Sequence, residues 1–554
     1  MEQSLFASDI RSIFEALSLL KGIKTISLAI SVSTRLLVLI FERMMSQSPF
    51  MWNGHAPRII LLLTSGVIPV LVFFSKRRRA QNLDDFPTVG CSFGPSRCFS
   101  NFYVGASRFL VDAPGVLKEG YEKYGNKPFK VATMLRWTVV LTDPQHMVEI
   151  ANAAEEDLSF REAMKDIMGV DDALKINVGS PDHDLLAELL KSHIARNATK
   201  ICAEVQDELL TSLETVLGNE SDDWTSIPAL STVSRIMVQT WQRFFVGYPL
   251  CRNSEWSSLV AKIHKDVAIS SVIRRLVPSW AFPFFARMAS NLEANVDHAT
   301  MLLGPAVEAC TSEMDEYAVP NEKKFDFLAR LVRRSTGEDS LLRNLTARLL
   351  GFTIAVSSTP SNTLTHALYH LAINPEFAQV LRDEVDPIVQ RDGWNIQSVA
   401  KMSKIDSFLR ESARINGVSS LGFFRQATRD LSLSDGTFLP EGCTIAVSLP
   451  PFHRDSTTYE APDEFRPFRF SDNPEHSITT ITPQWLFFGY GKHACPGRFL
   501  LTYQLKVMFA YMISAYDIRI GDEWTSRPPN FIFGEGIVPN LSAHVSYRRR
   551  RDAH

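Results

Sequence analysis

No Cys-x-x-Cys pair exists among the seven cysteines of this chain, and their number is odd. They are scattered at Cys91, Cys98, Cys202, Cys251, Cys310, Cys443 and Cys495. That pattern disfavours a disulfide framework and a structural zinc site, and it suits a reducing compartment. Most of these residues then read as small, buried apolar side chains. An excess of one charge is also missing. Lys and Arg total 58 against 61 Asp and Glu, a formal net charge of -3, which gives no sign of a nucleic-acid binder. Beyond residue 90 there is no low-complexity segment and no repeat, so repeat architectures are excluded.

What is present is a chain of 554 residues, 45% hydrophobic and 21% charged, enough to bury a large core. Helical periodicity dominates, over 182–217, 256–277, 292–317, 341–372 and 375–390. β-like runs are fewer: 131–141, 431–438 around the turn Ser434-Asp435-Gly436-Thr437, and strand and loop over 531–547. The expected fold is mainly α with a minor β portion, in one large domain over 80–554.

The stretch 59–74 carries no charge and is followed at once by Lys76, Arg77, Arg78 and Arg79. This predicts a transmembrane anchor with a basic stop over 59–79, its basic end in the cytosol. The preceding 1–58 form an N-terminal extension with a possible second membrane segment at about 25–41, interrupted by Arg35. The expected localisation is a membrane, single- or double-pass, in the endoplasmic reticulum, with the catalytic domain cytosolic.

The chemistry concentrates at Phe488-Gly489-Tyr490-Gly491-Lys492-His493-Ala494-Cys495-Pro496-Gly497-Arg498-Phe499, before an apolar helical pattern over 500–513. Cys495 thus sits on a loop that opens a helix. Amide N–H groups and the positive helix end stabilise a thiolate there. A thiolate is a strong electron donor to iron and favours O–O cleavage. Gly491 and Gly497 let the backbone turn and approach a flat macrocycle. Phe488 can pack beside the sulfur and keep water off it. His493 and Arg498 can donate to cofactor carboxylates or to an electron donor.

These residues match FxxGxxxCxG, the haem-binding signature of the cytochrome P450 superfamily, at every fixed position. The chain resembles that superfamily's fungal microsomal members over most of its length after about residue 86. Glu411 and Arg414 lie three apart on one helix face. With Phe465-Arg466-Pro467-Phe468-Arg469-Phe470, similar to the family's FxPxRF segment, they imply a buried ion network of Glu411, Arg414 and Arg469. Further likeness lies at Gly120 to Gly125, Leu158 to Ala163, Arg425 to Asp430 and Phe452 to Asp455. The resemblance implies the cytochrome P450 fold, haem b held by Cys495 as axial thiolate, and Arg425 as a propionate-binding arginine.

The helix over 341–372 is the counterpart of the family's oxygen-activation helix, whose pattern is small-Gly-x-acid-Thr. Here it reads Ala355-Val356-Ser357-Ser358-Thr359-Pro360. Thr359 takes the threonine position, where its hydroxyl would meet dioxygen and relay protons. Ser358 stands where an acid is usual and Val356 where glycine is usual. A water chain through Ser357, Ser358 and Thr359 is the expected substitute for the acid, unless the serines bond local carbonyls instead. Pro360 removes one N–H and is expected to bend or open the helix. The family's WxxxR is missing from 181–200, where His183, His193 and Arg196 are the nearest candidates.

What the resemblance implies for function is a monooxygenase acting on an apolar small molecule in fungal secondary metabolism, a terpenoid first. No flavin or iron–sulfur motif follows the Cys495 loop, so electrons would come from a separate NADPH-dependent cytochrome reductase. Lys492, Arg498 and Lys506 are the candidate docking cations. Its pocket is expected near Ala355 and along 418–424, with 160–170 as a lid. A haem-thiolate isomerase or dehydratase and a non-catalytic haem sensor stay open as alternatives.

Overall fold

The computed structural model describes residues 83–91, 99–134, 136–168, 173–174, 182–218, 223–276, 282–315, 327–335 and 337–550. Among its helices, those that bear on the site are α1 (Phe99–Tyr124), α2 (Phe160–Met168), α3 (Asp182–Leu217), α4 (Ala229–Phe245), α5 (Ser254–Leu276), α6 (Leu342–Ile373), α7 (Ser403–Ile415) and α8 (Arg498–Ala515). One mixed sheet accompanies them, built from β1 (Thr88–Val89), β2 (Phe129–Ala132), β3 (Trp137–Leu141), β4 (Leu158–Ser159), β5 (Leu421–Ala427) and β6 (Thr444–Ser448), in the spatial order β1-β2-β3-β6-β5-β4. A short hairpin follows, β7 (Phe531–Phe533) against β8 (Gly536–Val538). The mainly helical architecture with a small β portion is the one expected.

The core forms because helix-spaced apolar residues meet at the centre. α3 turns Val205, Leu209 and Leu213 inward, and α4 answers with Ile236, Met237 and Trp241. α6 runs between α4 and α7, and α8 packs against α3 and α6. α8 is buried almost all round, from Leu500 to Ile513, as a helix must be when neighbours surround it. α3 is kinked at Asn197 (φ -126°, ψ 20°), whose side-chain amide donates to the His193 carbonyl at 3.0 Å.

α6 runs without interruption from Leu342 to Ile373, through Pro360. The expected opening there does not occur. Hydroxyls on both sides of the proline bond backbone carbonyls one turn back, and the surrounding helices hold the rod together.

The anchor expected over 59–79 and the second candidate at 25–41 lie outside the described residues. Among the described residues no helix is long and apolar enough to cross a membrane. The expected membrane localisation is corrected on that finding. The longest described helices, α3 and α6, interleave apolar positions with charged and hydroxyl side chains, a pattern for packing against protein.

Candidate active site

Cys495 lies where a tight loop meets α8. The loop closes on itself: Gly489 N–H donates to the Leu486 carbonyl at 2.9 Å, and Cys495 N–H donates to the Phe488 carbonyl at 2.8 Å. Gly497 caps α8, and the first helical bond runs from Leu501 N–H to the Gly497 carbonyl at 2.9 Å. Burial pushes the Cys495 thiol up, while the N–H groups of Gly497 and Arg498 and the Arg498 charge favour the thiolate. Cys202 and Cys443 differ. Burial pushes each to about 12, and no amide N–H offsets it. Of these three, Cys495 alone has amide N–H groups directed at its sulfur to offset burial, and Cys202 and Cys443 read as buried filler. Cys98 lies outside the described residues.

Phe488 is buried, packed edge-on against Phe487 at 4.7 Å. Gly491 has a different reason from the one expected. Its φ is 71°, and a Cβ there would stand 2.8 Å from the Ala151 Cβ, so close packing on the helix Pro144–Asn152 requires the glycine. At Gly497 a Cβ would meet nothing within 4 Å, leaving open space beside the sulfur loop.

The expected ion network is present and ties α7 to the segment 453–469. Glu411 receives Arg414 Nε at 2.7 Å and Nη2 at 2.9 Å, and Arg469 Nε at 3.2 Å. Arg414 also donates to the carbonyls of His453 (2.8 Å), Pro462 (2.6 Å) and Glu464 (3.1 Å). The Glu411 and Arg414 side chains are both 0% exposed.

Arg425 on β5 sits in a buried cage. Its guanidinium lies 5.2 Å from the Phe160 ring centroid and 4.7 Å from that of Phe423. Nη1 donates to the Phe424 carbonyl at 2.7 Å, and Nη2 has no partner among the described residues. Burial lowers its pKa to about 10 despite the opposing charge of Glu155. His493 stacks on the other side of the cage, 4.9 Å from Phe160. Its Nε2 is 3.2 Å from Glu155 Oε2, within ion-pair reach but without hydrogen-bond geometry. Burial alone would raise Glu155. His493, the Arg161 N–H and Ser159 outweigh it and hold the carboxyl at about 2. A buried guanidinium with an open donor beside an imidazole fits a cofactor that carries carboxylates, such as haem with its propionates.

Thr359 and Ser358 lie on the face of α6 where exposure reappears in the middle of a buried helix: Ala355 and Ser358 are exposed and Thr359 is half-buried. Every other hydroxyl of α6, from Thr346 to Thr365, donates to a carbonyl three or four residues back. Ser357 bonds the Thr353 carbonyl at 2.5 Å and Ser358 the Ile354 carbonyl at 3.1 Å. Thr359 alone has no hydroxyl partner among the described residues. The water chain expected through all three is thus corrected: two of the hydroxyls are already committed, and one is free.

Of the propionate candidates in α3, none makes a hydrogen bond, ion pair or ring contact with Arg425 or the Cys495 loop among the described side chains. His193 is buried against Phe244 and Phe327, at 5.8 and 6.1 Å, and burial lowers its pKa to about 4. Arg196 is exposed. The His183 side chain lies outside the described ones. Of the docking cations, Lys506 is buried and paired with Asp406 at 3.4 Å, so it cannot meet a partner. Lys492 is exposed, its Nζ on the Ala153 carbonyl at 2.6 Å, and Arg498 is half-buried.

A cleft lies on the opposite side of β5; its apolar lining comes from Phe109, Leu110, Met134, Ile167, Leu421 and Phe424, and its polar lining includes Arg136, Thr444 and Glu535. Leu421, Phe424 and Ile167 come from stretches expected to line the pocket; Ala355 does not line this cleft. Arg275 at the end of α5 crosses its rim to Glu535 in the β7–β8 turn, at 2.5 Å and 3.3 Å. Sequence reading missed this pair and the cage partners Phe423 and Glu155. Their partners lie up to 270 residues away along the chain, and no local pattern signals them.

The family model described as Cytochrome P450 matches residues 110–539. The chain belongs to the cytochrome P450 family. It is 33% identical to Cytochrome P450 monooxygenase 103 of Postia placenta, over 88% of this chain and 98% of the relative. It is 34% identical to Cytochrome P450 monooxygenase 151 of the same fungus, over 88% and 98%, and 31% identical to Cytochrome P450 monooxygenase penP of Penicillium crustosum, over 80% and 86%. The P450 family uses haem with cysteine-thiolate ligation of the iron, and these relatives are monooxygenases by name, consistent with an oxidoreductase.

Proposed function

We propose that this P450 is a monooxygenase that inserts one oxygen atom of dioxygen into an apolar small molecule, with Cys495 as the thiolate ligand of haem. When bound, haem supplies the centre at which dioxygen is activated. Cys495 holds the cofactor from the α8 side. The N–H groups of Gly497 and Arg498 favour the anionic sulfur against the opposing effect of burial, and Phe488 excludes water. Arg425 and His493 orient the cofactor through its carboxylates. Thr359 donates or passes a proton from its hydroxyl oxygen, and Ser358 does not. The observation that carries this reading is the unbonded Thr359 hydroxyl in a helix where every neighbouring hydroxyl is bonded. The mostly apolar cleft supports an apolar substrate. A terpenoid of fungal secondary metabolism is the first candidate. Electrons come from a separate NADPH-dependent reductase that meets Lys492 and Arg498.

The test is the full chain co-expressed with a reductase and fed candidate terpenes, with products read by mass spectrometry. NADPH consumption coupled to an oxygenated product is expected; rearranged product without NADPH use would indicate an isomerase, and no turnover a sensor. The reduced, carbon-monoxide-treated protein should show the absorption band of thiolate-ligated haem, and Cys495→Ser should lose it. Retention of that band in the serine variant would remove Cys495 from the role.

A further inference from the structure

The pairing of β5 with β6 slips by one residue. Leu421 pairs with Ser448 and Gly422 with Val447, but Arg425 pairs with Ile445 and Gln426 with Thr444. Continued in step, the first two pairs would set Phe423 against Ala446 and Arg425 against Thr444. Instead both Phe423 and Phe424 stand against Ala446 alone, a β-bulge with one extra residue on β5.

That extra residue decides which face Arg425 presents. Paired residues project to the same side of a sheet, and a shift of one residue exchanges the sides. Thr444 lines the cleft beside Leu421 and Phe424. Ile445 packs on the other face, in the cluster that also receives Phe423. Without the bulge Arg425 would follow Thr444 into the cleft. With it, Arg425 follows Ile445 and enters the cage of Phe160 and His493.

Phe423 is where the bulge is made. Its φ is 57°, in the left-handed region that a bulky L-residue seldom adopts. Such a conformation persists where the surroundings over-determine it, and these sites concentrate at functional positions. The same residue lays its ring against the Arg425 guanidinium at 4.7 Å, and Phe160 lies at 5.2 Å from it. One side chain therefore both turns Arg425 to the cofactor face and clamps it there. A clamped cation needs little further ordering when it takes up a carboxylate.

We infer that Phe423 is a positioning residue for the cofactor: its left-handed bulge and its ring hold Arg425 in register for a haem carboxylate. This rests on the reading of Arg425 as a carboxylate ligand. The test measures haem release from the full-length holoenzyme to excess apomyoglobin, by visible absorption, alongside a far-UV circular dichroism melt. Phe423→Gly keeps the left-handed backbone and removes only the ring. It should release haem about tenfold faster, from the loss of a desolvated cation–π contact, with an unchanged melt. Deletion of Phe423 restores regular pairing and should match Arg425→Leu in release rate. If Phe423→Gly releases haem within twofold of the parent while Arg425→Leu is fast, Phe423 has no positioning role and the Arg425 reading survives. A lowered melt with unchanged release likewise reduces Phe423 to sheet packing. If Arg425→Leu itself releases haem at the parent rate, the Arg425 reading fails first.

Discussion

Replacing Glu411 by glutamine tests the ion network that ties α7 to 453–469 without changing the side chain's volume. The carboxylate takes Arg414 Nη2 and the Arg466 N–H on Oε1, Arg414 Nε on Oε2 at 2.7 Å, and Arg469 Nε on both oxygens at 3.2 Å. An amide would place its oxygen on the more crowded side. Its NH2 then faces Arg414 Nε, donor against donor. Two guanidiniums would also lose the only anion each pairs with among the described residues, and the Arg414 side chain is 0% exposed. Breaking a buried pair by removing one partner costs about 3–5 kcal/mol. A domain commonly has only about 5–15 kcal/mol in total. Glu411→Gln should therefore lower the urea midpoint sharply and yield mostly haem-free protein. The double variant Glu411→Met/Arg414→Met should not rescue it, because the carbonyls of His453, Pro462 and Glu464 lose their donor as well. Equilibrium urea unfolding and haem-to-protein absorbance ratios measure both. A loss below about 1 kcal/mol, the range of an exposed pair, with full haem content would refute the reasoning.

Thr359→Ala should release more peroxide per NADPH consumed, while Ser358→Ala should leave coupling near the parent value, since the Ser358 hydroxyl is already bonded to the Ile354 carbonyl; equal effects would reject the distinction. Arg275→Gln should speed substrate association and dissociation together, read by stopped-flow spectral shift, because it opens the rim ion pair with Glu535; unchanged rates would mean entry lies elsewhere. Burial holds His193 near pKa 4, and burial with the charges of Arg414 and Arg410 holds His453 near 3. Both folded values lie below that of the unfolded imidazole. Their contribution is therefore complete above about pH 6.5 and is lost as pH falls towards 4, by up to about 1.4 kcal/mol per unit for each histidine. The urea midpoint should drop between pH 7 and pH 5, less steeply in His193→Phe; a flat profile would contradict this.

The local signals were sufficient wherever the chemistry is written in consecutive residues. The Phe488 to Gly497 run, the Glu411–Arg414 spacing and the helical periods of α3, α6 and α8 follow from residue type and spacing, because a loop-to-helix junction and an i, i+3 pair are short-range geometry. Pro360 was misleading for the same reason. A local rule foretold an opening, and the packing of α4 and α7 along α6 overrode it.

What the linear order left undecided was every choice between equivalent local states. Composition does not say which hydroxyl of α6 stays free, since Ser357, Ser358 and Thr359 are chemically alike and only their directions differ. Gly491 read as an approach to a macrocycle, and its close packing on Ala151 was not legible because that partner lies far away in the chain. Lys506 looked like surface charge until α7 brought Asp406 to it. The side of the sheet to which Arg425 points depends on a one-residue slip between β5 and β6, and alternation along β5 alone leaves both sides open. Residue type and short spacing thus determined the family, the sulfur loop and the core helices. The tertiary structure decided which α6 hydroxyl stays unbonded, the face to which Arg425 turns and the rim of the cleft, because each depends on direction or on partners distant in the chain.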